Sequence, residues 1–340
     1  MTDILINEYF SAYASYPVID VRSPGEFKKG HIVGAYNIPL FTDAERAHVG
    51  TVYKQKGPDK AMSLGLEYVT PKLRWFVEQA ALVAPQKKVV VHCWRGGMRS
   101  HAFAEHLEEN GFEDVKVIEK GYKAFRNFVL DSFTVEMQLK VIGGYTGSGK
   151  TRILSRLKEE GCQVIDLEGL ACHKGSAFGS IGEDDQPTVE QFENNLFDQW
   201  RMLDFNRPVY VEDESHNIGA VKIPMGLYEK MKDAKVYFLN IPKEKRALAL
   251  VKEYAGIDDD LLKQGILKIT KRLGGLVVKE ALQALENKDY FKVAMLTLNY
   301  YDKAYWRGVQ KRDRHKIVYC ELTNCDPLVN AAYIKQHVNG

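Results

Sequence analysis

The 340-residue sequence lacks long apolar runs and any sign of a targeting segment. No stretch approaches the ~18 uncharged apolar residues that a membrane-spanning helix needs. The first ten residues carry two acids and no basic residue, which argues against a secretory signal. The sequence therefore predicts a cytoplasmic protein that does not enter the membrane.

Cysteine is scarce, and charge of one sign is not in excess. The five cysteines are odd in number and form no CxxC pair, which argues against a disulfide framework and against a four-thiolate zinc site. Any cysteine with a chemical role must therefore act alone. The net charge of +2 comes from 47 basic and 45 acidic residues, so a nucleic-acid partner would require a local basic patch.

Two series of apolar runs alternate with helical patterns, which is typical of α/β folds with parallel sheets and helices on both faces. In the first series, the predicted strands are 17–22, 88–93 and 115–120. In the second, they are 139–143, 163–167, 208–212, 235–241 and 316–322, enough for a doubly wound sheet of the P-loop type. Residues 243–312 are too many for a single crossover and predict a helical insertion. We predict domains at 1–128 and 139–340, joined by a linker at 129–138.

Two helix starts are indicated by side-chain capping patterns. Ser23 and Glu26 have the spacing of a capping box with Pro24 at the first helical position. Thr188 and Gln191 repeat the pattern, and an apolar stripe with helical spacing follows them, so this second helix is predicted to have a buried face.

The first candidate site is a cysteine at the end of a predicted strand. Cys93 is followed by a loop with two glycines and two arginines and then by a helical pattern. Such a loop can turn its backbone N–H groups inward, and the helix start adds positive potential. The same field favours the thiolate of Cys93, which makes it nucleophilic. The predicted anion loop comprises Trp94, Arg95, Gly96, Gly97, Met98 and Arg99.

The spacing of Cys93 and Arg99 also satisfies the pattern of cysteine-dependent phosphatases. The upstream run, however, resembles the rhodanese homology domain, whose fold places a persulfide-forming or selenium-carrying cysteine on such a loop. The residues that carry this resemblance are Asp20, Arg22, Glu26, Phe27, Gly30, His31, Gly34, Asn37 and Pro39. Rhodanese sulfurtransferases commonly have a loop one residue shorter. The seven residues 93–99 resemble the phosphatase branch and suit a tetrahedral anion of phosphate size.

The second candidate site is a glycine-rich phosphate loop. Residues 144–151 match GxxxxGK[ST] in full, follow a predicted strand and precede a helical pattern, as the motif requires. The predicted diphosphate-binding residues are Gly144, Gly147, Ser148, Gly149, Lys150 and Thr151, with Mg²⁺ on the Thr151 hydroxyl. Glu212 and Asp213 end a later strand and are candidates for a second metal or base position. The motif predicts a bound diphosphate, but nothing in the sequence selects ATP or GTP.

A rhodanese-like domain followed by a P-loop domain resembles one family, the bacterial tRNA 2-selenouridine synthases. Further segments that carry the likeness are 49–57 (VGTVYKQKG), 121–124 (GYKA), 166–168 (DLE) and 211–215 (VEDES). The resemblance implies conversion of a wobble 2-thiouridine to 2-selenouridine through an S-geranyl intermediate. It implies geranyl diphosphate and selenophosphate as co-substrates, no permanent cofactor, and selenophosphate supplied by a selenophosphate synthetase. It also implies that Cys93 is needed for the selenium step as a selanyl-cysteine.

A tRNA substrate requires positive potential and stacking surfaces. The segment 299–316 holds six Lys or Arg residues against two acids, interleaved with four aromatics. The RNA-binding candidates are Lys303, Tyr305, Trp306, Arg307, Lys311, Arg312 and Arg314. The same pattern also fits a solvated helix whose aromatic side lies in the core.

Two other enzyme classes and one binding function stay open. A rhodanese-type sulfurtransferase with an appended P-loop ATPase or kinase would transfer sulfur to cyanide and turn over ATP. A cysteine phosphatase joined to such a module would hydrolyse aryl phosphates and lose that activity in Cys93→Ser. A non-enzymatic binding module for RNA or protein would keep its function in Cys93→Ser.

Overall fold

The computed structural model describes residues 1–176, 178–254 and 256–338 and divides the chain into two compact units. The first unit comprises Met1–Ser132 together with Glu193–Asn195, and the second comprises Phe133–Phe192 with the residues from Leu196 onward. The division falls within the linker predicted at 129–138. The first four residues of that linker belong to a helix that ends at Ser132.

The first unit is built on a five-stranded parallel sheet in the order β1-β5-β4-β2-β3. The strands are β1 Thr2–Ile4, β2 Val18–Asp20, β3 Tyr36–Asn37, β4 Lys88–His92 and β5 Asp114–Ile118. The α-helices are α1 Ile6–Glu8, α2 Pro24–Lys29, α3 Asp43–Lys56, α4 Pro58–Val69, α5 Leu73–Val83, α6 Met98–Glu109 and α7 Gly121–Ser132. A π-helical turn at Tyr9–Tyr13 and a 3₁₀ turn at Thr70–Lys72 complete it.

Strand β4 lies at the centre of this sheet because both of its faces are apolar. Val89 and Val91 are fully buried in the same core as Phe103. Val90 alternates to the opposite face and is also fully buried, so the sheet is covered on both sides. The buried strand therefore delivers the residue that follows it, Cys93, to the carboxyl edge of the sheet.

The second unit also contains a five-stranded parallel sheet, in the order β12-β11-β6-β8-β7. Its strands are β6 Leu139–Gly144, β7 Gln163–Ile165, β8 Val209–Glu212, β11 Lys235–Asn240 and β12 Ile317–Glu321, and a separate antiparallel pair is formed by β9 Asn217–Ile218 and β10 Val221–Lys222. The helices that precede β11 are α8 Lys150–Glu159, α9 Leu167–Ala171, α10 Val189–Trp200 and α11 Met225–Asp233. All five predicted strands are present, and the predicted α/β fold is confirmed.

The predicted helical insertion lies between β11 and β12. Its helices are α12 Lys243–Tyr254, α13 Asp259–Lys268, α14 Thr270–Leu273, α15 Gly275–Glu286 and α16 Tyr290–Val309. A 3₁₀ turn at Arg314–Lys316 leads into β12, and α17 Pro327–Val338 follows that strand. The insertion has a core of its own around Leu262, Ile266 and Val293. In the described part of the chain, no helix combines the length and apolarity needed to cross a membrane.

Local sequence signals account for several of these boundaries. Helix α2 begins at Ser23 with the predicted capping box and proline, and Thr188 caps α10 by accepting from the Gln191 N–H. The short strands β1, β3, β9 and β10 were not predicted, because each has only two or three residues and lacks an extended apolar run.

Candidate functional site

Cys93 follows β4 directly and is only 3% exposed. Its Sγ lies 3.3 Å from the Ser100 hydroxyl oxygen in the first turn of α6. Burial alone would raise the pKa of Cys93, but the Ser100 hydrogen bond and the Arg99 charge oppose it. Backbone hydrogen bonds from Gly97 and Arg95 act in the same direction, and together these groups hold the pKa below its ordinary value. The loop therefore favours the thiolate.

The loop after Cys93 packs tightly against the segment that follows β5. Gly96 has φ +58°, and a Cβ atom there would lie 2.3 Å from the Ile118 carbonyl oxygen. The reciprocal position, Gly121, has φ +55°, and its Cβ would lie 2.2 Å from the Cys93 carbonyl oxygen. The Tyr122 N–H donates to that same oxygen at 2.9 Å. This close approach of two backbones explains why glycine stands at both positions.

The structure brings the predicted anion-loop residues together, with different exposures. Arg99 lies on α6 with its guanidinium 3.6 Å from the Glu26 carboxylate. Arg95 is exposed, and Met98 is 64% exposed. The Trp94 ring is half-buried and lies 5.8 Å from the ring of Tyr122. The loop thus offers one guanidinium whose charge acts on the sulfur and a second one that is exposed to solvent.

A buried polar network lies next to this loop. Arg22 donates to the Asp20 carboxylate and to the Gly30 carbonyl, and its guanidinium lies 3.7 Å from the centre of the Tyr122 ring. His92 is fully buried, and burial lowers its pKa although the charge of Asp20 acts in the opposite direction. These contacts give Arg22 a structural role.

The phosphate loop connects β6 to α8. Gly144, Gly147 and Gly149 all have positive φ angles, as the sharp turns of such a loop require. The Lys150 ammonium donates to the Gly144 carbonyl at 3.2 Å and so folds back over the loop. The Ser148 hydroxyl is buried and has no hydrogen-bond partner among the described residues. The loop therefore has the form of an anion-binding cradle with polar groups available to a ligand.

Carboxylates surround the end of this loop. The Thr151 hydroxyl donates to Glu168 at 2.8 Å, and the Glu168 N–H donates to Glu212 at 2.8 Å. Glu212 is fully buried with its second oxygen unpartnered among the described residues. Burial, with the nearby charges of Asp166 and Glu168, raises the pKa of Glu212 well above its ordinary value. Glu212 is therefore a buried carboxyl group rather than an exposed one.

Glu214 has the second perturbed carboxyl group of this cluster. Burial and the negative charge of Glu168 raise the pKa of Glu214 to about 8, although Lys150 acts in the opposite direction. Sequence reasoning gave no role to Glu168, because its approach to Thr151 depends on the position of α9. The only signal was its place in the segment 166–168.

The residues around Thr151 could supply two ligands to a magnesium ion, but not a complete set of protein ligands. Within 1–176, 178–254 and 256–338, no group of three or more His, Cys, Asp or Glu side chains is arranged to hold a metal. Magnesium, however, is often held by one or two side chains and the phosphates of the substrate. The Thr151 hydroxyl and the Glu168 carboxylate, in contact with each other, are such a donor set.

The structure pairs three of the predicted site residues with one another. They are Asp213, Tyr305 and Arg312. Asp213 accepts from the Tyr305 hydroxyl at 2.7 Å and from the Arg312 guanidinium. The Tyr305 hydroxyl also accepts from the Gly144 N–H at 3.0 Å. Asp213, predicted as a metal or base position, is therefore held in an internal ion pair, and two predicted RNA contacts are its partners. Tyr305 is there because it lies on the inner face of α16, whereas Arg312 follows that helix and is held by its pair with Asp213.

The other RNA-binding candidates lie at the surface. Lys303 and Arg307 are exposed on α16, and the Trp306 side chain between them is 37% exposed. Lys311 and Arg314 are exposed in the segment that follows. A basic surface with one accessible aromatic ring thus remains, which suits RNA contact through phosphates and stacking.

These two sites define a class of protein in which a rhodanese-like domain with a single cysteine precedes a P-loop domain. Family comparison agrees: residues 8–128 match the rhodanese-like domain, and residues 137–332 match the tRNA 2-selenouridine synthase AAA domain. The chain belongs to the tRNA 2-selenouridine synthase family.

Similarity to individual members extends over most of the chain. The chain is 34% identical to the tRNA 2-selenouridine synthase of Bdellovibrio bacteriovorus, over 87% of its own length and 89% of the relative's. It is 36% identical to that of Hydrogenovibrio crunogenus, over 87% and 90%. With the enzyme of Shewanella woodyi, identity is 34% over 88% and 90% of the two chains. The family resemblance predicted from the sequence is confirmed.

Proposed function

We propose that this protein converts the 2-thiouridine at the wobble position of tRNA into 2-selenouridine through an S-geranyl intermediate. Geranyl diphosphate and selenophosphate are the co-substrates, and a selenophosphate synthetase supplies the latter. One observation carries the proposal. A buried cysteine in an anion loop and an intact phosphate loop occur in one chain of this family.

The phosphate loop suits the geranylation step. The thio sulfur of the base attacks the first carbon of the geranyl group, the carbon–oxygen bond breaks and diphosphate leaves. Negative charge then accumulates on the leaving group. The Lys150 ammonium and the N–H groups at the start of α8 are placed to stabilise that charge. Thr151 and Glu168 would hold a magnesium ion, which when bound supplies further positive charge to the diphosphate.

The cysteine loop suits the selenium step. Cleavage of the phosphorus–selenium bond of selenophosphate by water releases hydrogenselenide and phosphate. The selenium nucleophile then attacks C2 of the base, and the geranyl group departs with its sulfur as a thiol. Arg99 and the inward N–H groups of the loop would bind the phosphate oxyanion. We infer from the family resemblance that Cys93 is needed for this step.

Separate variants test this division of labour. We expect purified Lys150→Ala to lose geranylation of thiolated tRNA, because the diphosphate loses its cation. We expect Cys93→Ser to retain geranylation and lose selenation. Lys158→Ala, an exposed lysine on the same helix, and Cys162→Ser are the matched controls. If Lys150→Ala kept geranylation and lost only selenation, the proposed division would be wrong.

A cysteine phosphatase is the second candidate function. It is favoured by the seven-residue loop 93–99 and by the hydrogen bond between Ser100 and Cys93. This function predicts hydrolysis of an aryl phosphate that Cys93→Ser abolishes. Turnover of aryl phosphate without any incorporation of selenium would favour the phosphatase.

A further inference from the structure

Two arginines of the first unit share one carboxylate beside the cysteine loop. The Arg46 guanidinium lies 3.4 Å from one oxygen of Glu26, and the Arg99 guanidinium lies 3.6 Å from the other. Arg99 also acts electrostatically on Cys93. Arg46 and Arg99 therefore share a carboxylate, and the charge of Arg99 acts on the reactive sulfur.

The backbone holds this arrangement in place. Glu26 belongs to the capping box of α2 and accepts from the Ser23 N–H at 3.2 Å. The Gly25 N–H donates to Asp43 at the start of α3 at 2.9 Å, and a Cβ at Gly25 would lie 2.8 Å from that carboxylate. The starts of the two helices are thus joined. Because Arg46 lies in the first turns of α3, its direction is set by this junction.

The contacts of Glu26 are weak enough to be exchanged for a ligand. The Arg46 side chain is 51% exposed, whereas those of Arg99 and Glu26 are 29% and 19% exposed. The Arg46 side of this arrangement is exposed, and exposed ion pairs contribute little to stability. The pair with Arg99 is partly buried but long, at 3.6 Å. Phosphate oxygens bind guanidinium groups through shorter, charge-assisted hydrogen bonds. An arriving phosphate can therefore take over both arginines while the capping role of Glu26 is retained.

We propose that Arg46 and Arg99 form a phosphate-binding position at the mouth of the Cys93 loop, and that Glu26 occupies both arginines until the phosphate arrives. The position binds a phosphate oxyanion. This anion belongs either to a small phosphorylated co-substrate or to the tRNA backbone, an assignment that rests on the proposed function. Glu26 keeps the guanidinium groups oriented and weakens anion binding through its negative charge.

Protection of Cys93 by inorganic orthophosphate tests the position without any turnover. Iodoacetamide alkylates the thiolate, and peptide mass spectrometry separates Cys93 from the other cysteines. We expect orthophosphate to slow the alkylation, with an apparent dissociation constant roughly fivefold higher in Arg46→Ala. Glu26→Gln keeps the capping box and should bind orthophosphate roughly threefold more tightly, since one negative charge is lost. A purely structural role for Glu26 would not produce this opposite sign.

Arg74→Ala is the matched control, because Arg74 forms an exposed pair with Glu78 at 2.8 Å on α5. A second assay measures the dissociation constant of tRNA for the same variants. An effect of Arg46→Ala on orthophosphate assigns the position to a small phosphate, and an effect on tRNA alone assigns it to the RNA backbone. The proposal is overturned if Arg46→Ala matches Arg74→Ala in both assays, or if Glu26→Gln weakens orthophosphate binding. Failure of selenation would refute the proposed function and leave both measurements valid.

Discussion

Replacing Ser100 with alanine should make Cys93 less reactive. The Ser100 hydroxyl lies 3.3 Å from the sulfur and helps to lower the pKa of Cys93. A hydrogen bond to a charged group contributes about 1.5 kcal/mol, which corresponds to roughly tenfold less thiolate at a pH below the pKa. Iodoacetamide should then alkylate Cys93 about tenfold more slowly near neutral pH, with the pH profile displaced to higher pH.

The same experiment decides whether the Ser100 hydroxyl donates its hydrogen to the Cys93 sulfur or to the Gly97 carbonyl oxygen. The hydroxyl also lies 2.9 Å from the Gly97 carbonyl oxygen, to which it can donate. One hydrogen cannot serve both acceptors, so the prediction requires that the thiolate receives it. Ser63→Ala is the control, because that exposed hydroxyl donates to a backbone carbonyl of α4. Superimposable profiles for wild type and Ser100→Ala would refute the reasoning.

Three further predictions follow from other parts of the structure. Gly96→Ala should lower the melting temperature by several degrees, because its Cβ would clash at 2.3 Å in a left-handed conformation, whereas Gly97→Ala meets no atom within 4 Å and should be tolerated. Glu214 has a folded-state pKa of about 8, above its ordinary 4.5. The native state therefore holds a proton that the unfolded chain releases, and stability should fall between about pH 5 and pH 8. The melting temperature of Glu214→Gln should not fall over this pH range. Equal slopes of melting temperature against pH in wild type and variant would contradict the prediction. Lys303→Ala and Arg307→Ala should each weaken tRNA binding severalfold and reduce the salt slope by up to about one; unchanged slopes would remove α16 from the RNA surface.

Most of the fold, and the positions of both loops, can be predicted from the local sequence. The strands with uninterrupted apolar runs are recognisable because burial on both faces demands such runs. Cys93 and the residues from Gly144 to Thr151 are recognisable for a different reason. Each loop needs particular residue types at fixed spacing directly after a strand, so chemistry and location coincide in the sequence.

Contacts between distant segments account for what could not be predicted. Glu168 reaches Thr151 only because α9 follows the edge strand β7, and no spacing rule links two residues that are 17 positions apart. Asp213 has the residue type expected of a base. Its partner Arg312, however, lies 99 positions away, and that contact converts a candidate catalytic group into an internal ion pair.

We propose that this protein introduces selenium into tRNA and needs Cys93 to do so. Mass spectrometry of tRNA nucleosides can decide this in cells that lack the protein, complemented with wild type or Cys93→Ser. We predict that 2-selenouridine disappears in the null cells, returns with the wild-type protein and stays absent with the variant. Selenouridine that persists in the null cells, or that Cys93→Ser restores, would contradict the account.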